Sequence, residues 1–584
     1  MKQFKIFFAL VFVSLLFTNC DPNDSNGSNQ NDTSFAENFG ASASRDFIGQ
    51  VVDAENHPLQ NVEIKIGTST VQTDVNGVFI INDASVHEKF AYITATKTGY
   101  IDGSRTMVPT TGKNNVKIML VSNTPIETIQ SGTASEVSIY SGTKVVFDGA
   151  FQDENGAEYT GAVQVSMFHL TPSDENIDKL MPGMLYAQTQ TNEEAVLETY
   201  GMLNVELRGS AGQKLNIATG HTAEITLRID DSQLATALSS IPLWHFDEEK
   251  GYWKEDGVAT KVGNNYVGEV SHFSWWNCDA PFPTVTLTIT LVDGNGNTLS
   301  NVVVGLGING SNGGAFSYTD NNGMISGLIP SNQELTLKVY GECSVIYSTS
   351  IGPFSTNTTL PNIVINSSAT FLSSNVVGTL VKCDNTNVTN GYVILNRNGN
   401  DSIFPVTNGA FSFNEIYCSA NTQFNLRGID YDDSQDTDLI NYNFDPSPIT
   451  NVGDIIINSL ICNYAEYITY RIDGELLPVV LTENLFFQIN SSNVVSIHGY
   501  NANGKYIILD GIASGSGVNC LSAFMFGGPD FGNIQSGTAG NSINYNSSPI
   551  GAVGTYVDVT FNGTFVKLGL PHTVSGLMHI IRDN

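Results

Sequence analysis

Residues 47–67 read FIGQVVDAENHPLQNVEIKIG, and their pattern sets the fold expected for much of the chain. Val62, Ile64 and Ile66 alternate with Glu63 and Lys65, the two-residue period of a strand with one buried face. A strand-like run precedes them, and Asn56 and Pro58 mark the turn between the two. TDVNG follows at Thr73–Gly77; its Asn-Gly pair is a strong turn signal, and Phe79 re-enters the core. ITATKTGY and VKIMLV then bring the count to about seven strands between residues 45 and 121.

The same signature recurs downstream. ITLVDGNGNTLSNVVV at 289–304 aligns with VVDAENHPLQNVEI, so that Asp293 and Val302 stand to each other as Asp53 and Val62 do. TDNNG at Thr319–Gly323 repeats TDVNG. A looser copy runs through VVGTLVKCDNTNVTNGYVIL at 376–395 and NGAFSF at 408–413. Repetition of one β unit predicts an all-β protein of serial β-sandwiches, Ig-like in build, set out as beads on a string. Units are expected at 45–121, 122–282, 283–366, 367–464 and 465–584. The helical signals are short: SDENIDKLM at 173–181 and DSQLATAL at 231–238.

The repeated unit resembles the carboxypeptidase regulatory-like (transthyretin-like) domain. In the first copy the resemblance rests on Gly49, Asp53, Pro58, Val62, Asp74, Gly77, Phe79 and Gly99-Tyr100. It implies a small non-catalytic β-sandwich of a kind found as a spacer on bacterial surface proteins and transporters. The run from MPGML at 181–185 through LETYGMLNVELRG at 197–209 to LWHFDEEKGYW at 243–253 resembles an uncharacterised bacterial extracellular module, and also the ectodomain of cartilage intermediate layer proteins. Residues 465–584 read as one more β-sandwich or jelly roll, similar to C-terminal domains of Bacteroidetes lipoproteins.

Residues 1–20, MKQFKIFFALVFVSLLFTNC, carry Lys2 and Lys5 ahead of an apolar run, the pattern of a secretory signal. Cys20 sits where a bacterial lipoprotein signal is cut and lipidated. Asn19 departs from the small residue usual before that cysteine. The polar stretch after it, DPNDSNGSNQNDTS, reads as a disordered tether. Residues 1–19 are thus expected to be a signal peptide and 20–44 a tether. Together they resemble a Bacteroidetes-type lipoprotein. The resemblance implies export, and lipid anchoring to the outer membrane or cell surface.

The 584-residue chain has 57 acidic and 25 basic residues, a formal charge of −32, which argues against a nucleic-acid partner. Cys278, Cys343, Cys383, Cys418, Cys462 and Cys520 remain after Cys20, and an even number in an exported chain suggests disulfides whose pairing spacing cannot choose. All four tryptophans lie in residues 241–282. They read either as core or as an aromatic platform, with Tyr252, Trp275 and Trp276 as candidate ligand-binding residues. Neighbours on a strand face opposite ways, so from a regular strand one of Trp275 and Trp276 is expected to point outward. Asp430, Asp432, Asp433, Asp436 and Asp438 form the densest carboxylate run, read as a solvated loop or a calcium site; no other cofactor is indicated. Two H-x-x-E pairs, His221/Glu224 and His245/Glu248, match zinc-ligand spacing, but one lies on an alternating strand and the other straddles a turn. The expected function is that of a non-catalytic envelope scaffold or binding protein, for adhesion or ligand capture. The alternatives are a glycan- or protein-binding accessory of an outer-membrane uptake system and, behind it, a cryptic metallohydrolase.

Overall fold

The computed structural model describes residues 35–140, 142–308, 314–341, 344–368, 371–397, 399–432, 435–445, 449–457, 464–473, 478–514, 521–535 and 540–584. Strands dominate it. Helical structure among the described residues is confined to a 3-10 turn at Ala36–Phe39 and one turn at Ile177–Leu180. Residues 173–181 therefore yield a single helical turn, and within 231–238 residues 231–236 form consecutive turns instead of a helix. The buried Gln233 amide donates to the Thr199 carbonyl, Leu234 and Ala237 pack on the core of the second unit, and Leu238 is half exposed.

In the first module, strand Ser42–Val52 lies between Val78–His87, antiparallel, and Lys113–Met119, parallel. A second sheet is ordered Ser69–Gln72, Glu63–Ile66, Ala91–Thr96, Gly103–Met107. Val62, Ile64 and Ile66 point between the two sheets and meet Phe47, Val51, Phe79 and Ile118. The third module repeats this plan: Thr284–Asp293 sits between antiparallel Met324–Pro330 and the parallel strands Thr358–Thr359 and Ile363–Ile365. In the fourth, Phe371–Val381 lies between antiparallel Ala410–Cys418 and parallel Ile449–Ile456.

The TDxNG motif is explained by its hydrogen bonds. Thr73, buried, donates its hydroxyl to the Leu59 carbonyl (2.6 Å) and accepts the Val62 N–H (2.9 Å). Asp74 Oδ1 accepts the N–H groups of Asn76 and Val78 (both 2.9 Å). Thr319 repeats the first pair of bonds with Leu299 and Val302, and Asp320 the second with Asn322 and Met324. Gly77 and Gly323 have positive φ, and a Cβ on either would stand 2.4 or 2.6 Å from a carbonyl oxygen of the first strand. The motif thus fastens the two sheets where the chain crosses between them.

The second unit is one 13-stranded sheet running from Glu127–Gln130 to Trp275–Phe282. The C-terminal domain stacks two five-stranded sheets around Ile468, Phe487, Ile497, Leu509, Phe561 and Met578. The expected beads on a string leave open whether neighbouring sandwiches stack rigidly, and the structure packs them side by side. Ile48, Val78 and Ile80 of the first module share an apolar cluster with Tyr392, Ile394, Ile403 and Ile429 of the fourth. Residues 35–44, expected within the tether, are ordered: Phe35 and Phe39 are buried and the first strand begins at Ser42.

Candidate functional site

The tryptophan stretch is core throughout. Relative exposure is 0% for Trp244 and Trp253, 4% for Trp275, 1% for Trp276 and 2% for Tyr252. The expectation of an outward tryptophan, and with it the platform of Tyr252, Trp275 and Trp276, is corrected. Trp275 and Trp276 do face opposite ways, but both faces of their strand are covered. Trp276 enters the main core of the second unit, and Trp275 joins a second cluster with Trp244, Phe246, Trp253, Leu170 and Met181. Tyr92 of the first module packs on that second cluster. Tyr252 is sealed by Phe35 and Phe39, whose rings lie 4.8 and 5.9 Å from it. The indole N–H of Trp244 donates to the Asp279 carbonyl and that of Trp276 to the His272 carbonyl. Asp279, fully buried, accepts from the Tyr200 N–H (3.3 Å) and the Asn277 amide, and burial holds its pKa well above the carboxylate range.

Neither H-x-x-E pair converges on a point. His221 Nδ1 lies 2.5 Å from Asp148, while Glu224 is exposed on the strand Ala223–Arg228. His245 stands 3.5 Å from Asp256 and packs edge-on against His272, whose pKa is lowered to about 4 by burial and the neighbouring His245. The Glu248 carboxylate instead lies 3.7 Å from Lys214.

The acidic run is spread among separate partners. Asp430 is buried and 2.9 Å from Lys382, Asp432 accepts the Asn390 amide (2.7 Å), and Asp436 lies 2.8 Å from Arg471 and 3.8 Å from Arg427. Asp438 is partly buried, and Asp433 lies outside the described residues. The described group that brings three metal-type ligand atoms together is Asp53, Glu55 and His57, on an exposed turn. Cys383 and Cys418 are each engaged in a disulfide. Cys278 is not: it is a free, buried thiol inside the second core, which corrects its place among the disulfide candidates. Cys20, Cys343, Cys462 and Cys520 lie outside the described residues.

What the structure does bring together are the module junctions. Each TDxNG aspartate spends one oxygen on its own turn and offers the other to a neighbouring module. Asp74 Oδ2 accepts the Tyr392 hydroxyl of the fourth module, and Asp320 Oδ2 accepts the Thr110 hydroxyl of the first (2.6 Å). Burial raises the Asp74 pKa to about 6, against the lowering effect of Tyr392, the Val78 and Asn76 N–H groups and Arg427. Arg427 also donates to Asn76. Arg471 of the C-terminal domain meets Asp436 beside it, and a cavity of about 420 Å³ opens there between the first, fourth and last units. Tyr431, Tyr470, Gln72, Gln435 and Asn562 also line it. These residues come from segments hundreds of positions apart, and no local pattern links them.

No protein-family profile matches the chain. Cartilage intermediate layer protein 2 of Mus musculus is 28% identical over 123 residues, 21% of this chain and 10% of that protein. Its Homo sapiens counterpart is 29% identical over 128 residues, 21% of this chain and 11% of that protein. The chain thus matches about a tenth of the length of these curated relatives. Among solved structures, a streptococcal ancillary pilin is 14% identical with a TM-score of 0.13, covering 40% of this chain and 98% of that one. The major pilin subunit of Bacillus cereus is 10% identical with a TM-score of 0.12, covering 72% and 99%. Likeness at those scores carries no argument about function. Among the described residues, no helix is long and apolar enough to cross a membrane.

Proposed function

We propose that this chain is a non-catalytic cell-envelope protein, exported by residues 1–19 and lipid-anchored through Cys20, that acts as a surface scaffold or binding protein in adhesion or ligand capture. The observation that carries this reading is the docking of sandwich on sandwich through Tyr392–Asp74 and Thr110–Asp320. Such buried bonds favour a shaped body over a loose string, which suits a protein that presents surfaces. Fractionation of cells expressing Cys20→Ala tests the anchor: the protein should move from membrane to soluble fractions, and unchanged membrane association overturns it. Protease treatment of intact cells, with detection of the C-terminal domain, tests the surface location. Loss of that domain is expected, and full protection refutes it.

A second reading is an accessory of an outer-membrane uptake system that binds glycan or protein. The junction cavity beside Arg427 and Arg471 favours it, because tyrosine rings, amides and charged groups lining one concave site suit a polar ligand. A glycan array probed with the full chain should give hits that Arg471→Ala abolishes; an empty array removes glycans from this reading.

A further inference from the structure

Two cavities adjoin along the last strand of the first module, Lys113–Met119. Asn115, Val116, Lys117 and the facing Tyr318 line both. The first cavity, about 140 Å³, lies between the first, second and third modules. Its wall is largely apolar, with Met107, Met181, Met184, Leu306, Phe316 and Leu328. The second, about 310 Å³, lies between the first, third and fourth modules, and the helical turn Ile177–Leu180 contributes Lys179.

Two cations, Arg105 and Lys117, line the first of these cavities with little to satisfy them. Arg105 lines the apolar cavity, and its hydrogen bonds are long ones from Nη1 to the carbonyls of Met181 (3.5 Å) and Gly183 (3.4 Å). No carboxylate among the described residues forms an ion pair with it. Asp178, the nearest acidic influence, is within hydrogen-bond reach of the Tyr318 hydroxyl (3.4 Å). The Lys117 ammonium has no hydrogen-bond acceptor among the described residues. Burial lowers the Lys117 pKa, Lys179 lowers it further, and Asp401 and Asp178 oppose the shift. Withdrawing a cation from water is costly unless a partner is supplied. Among the described residues no carboxylate pairs with either group, and Asp178 and Asp401 act on them only at longer range.

We infer that the first cavity binds a small amphiphilic carboxylate from outside the chain, with Arg105 and Lys117 holding the carboxylate and the methionine-lined wall enclosing an apolar group about the size of a benzene ring. The size follows from the volume: an apolar protein cavity of about 150 Å³ accepts benzene. A carboxylate matches the planar donors of a guanidinium. The nearby Asp178 and Asp401 offset part of the positive charge, so a monoanion fits better than a dianion. The inference goes beyond the scaffold reading, which stands or falls separately by the Cys20→Ala fractionation.

The test is calorimetric titration and thermal denaturation of the full chain with phenylacetate and hexanoate, against 2-phenylethanol and acetate as the neutral and tailless controls. Saturable binding and a raised melting temperature are expected with phenylacetate or hexanoate, with both controls weaker by about tenfold or more. Arg105→Met and Lys117→Met should each weaken binding by about tenfold or more, and Arg105→Lys by less. Absence of saturable binding at millimolar probe, equal binding of the alcohol, or unchanged affinity in both Met variants overturns the assignment. Should a variant fail to fold, the wild-type comparison of acid with alcohol and acetate decides alone.

Discussion

Replacing Asp74 with Asn should remove a pH dependence from the contact between the first and fourth modules. The Asp74 pKa in the fold is about 6 against an ordinary 3.8, chiefly because burial outweighs the groups that favour the charged form. The folded state therefore holds the proton more tightly than the unfolded chain does. The stability this confers is complete below pH 3.8 and is lost as the pH rises through about 6. A shift of that span corresponds to about 3 kcal/mol. Asn is neutral at every pH and can still accept the N–H groups of Asn76 and Val78. The difference in local opening free energy should therefore move by about 3 kcal/mol in favour of Asp74→Asn between about pH 4 and about pH 8. Amide hydrogen exchange on Val78–His87 and Asn390–Arg397 measures this module by module, which a whole-chain melting curve does not. A difference that stays flat with pH would refute the reasoning. One that moves the other way would mean that Arg427 and the turn N–H groups, not burial, set the carboxyl's state.

Trp276→Ala should destabilise the second unit by about 3–5 kcal/mol in denaturant titrations, since the ring is 1% exposed within its main core. Arg471→Met leaves Asp436 without its nearest cation and should loosen the C-terminal domain, seen as a larger radius of gyration by X-ray scattering with unchanged strand content. Cys278 should resist alkylation in the native protein and react after denaturation, by peptide mapping, because burial pushes its thiol pKa well up.

What was legible in the sequence was what a short stretch decides. The alternation at Val62–Ile66 and the TDxNG turns are local, and they reappear as buried strands and hydrogen-bonded staples. The opposite facing of Trp275 and Trp276 is also local and holds. The error lay in assuming solvent on one side, and only a second cluster drawn from the strand Ser240–Asp247, residues 170–181 and the first module removes it. Phe35 and Phe39 were hidden by the polar run before them, because two aromatics suffice to anchor a segment once a ring-lined recess exists to receive them. The second oxygen of Asp74 was beyond reach for a similar reason: its partner, Tyr392, is 318 positions away, and nothing in the motif announces that one carboxylate oxygen is left over.

The parallel pairing of first and last strands has a mechanical consequence. In the first module the chain enters along Ser42–Val52 and leaves along Lys113–Met119, which run side by side in the same direction. A pull on the two ends drags these strands past one another along their common axis, so the bonds from Asp46–Lys113 to Val52–Met119 bear the load together. The third and fourth modules are wired alike. The C-terminal domain is not: its first and last strands are antiparallel, with Tyr467 opposite His579. Its ends leave by the same edge, and tension there peels the pairs open one at a time.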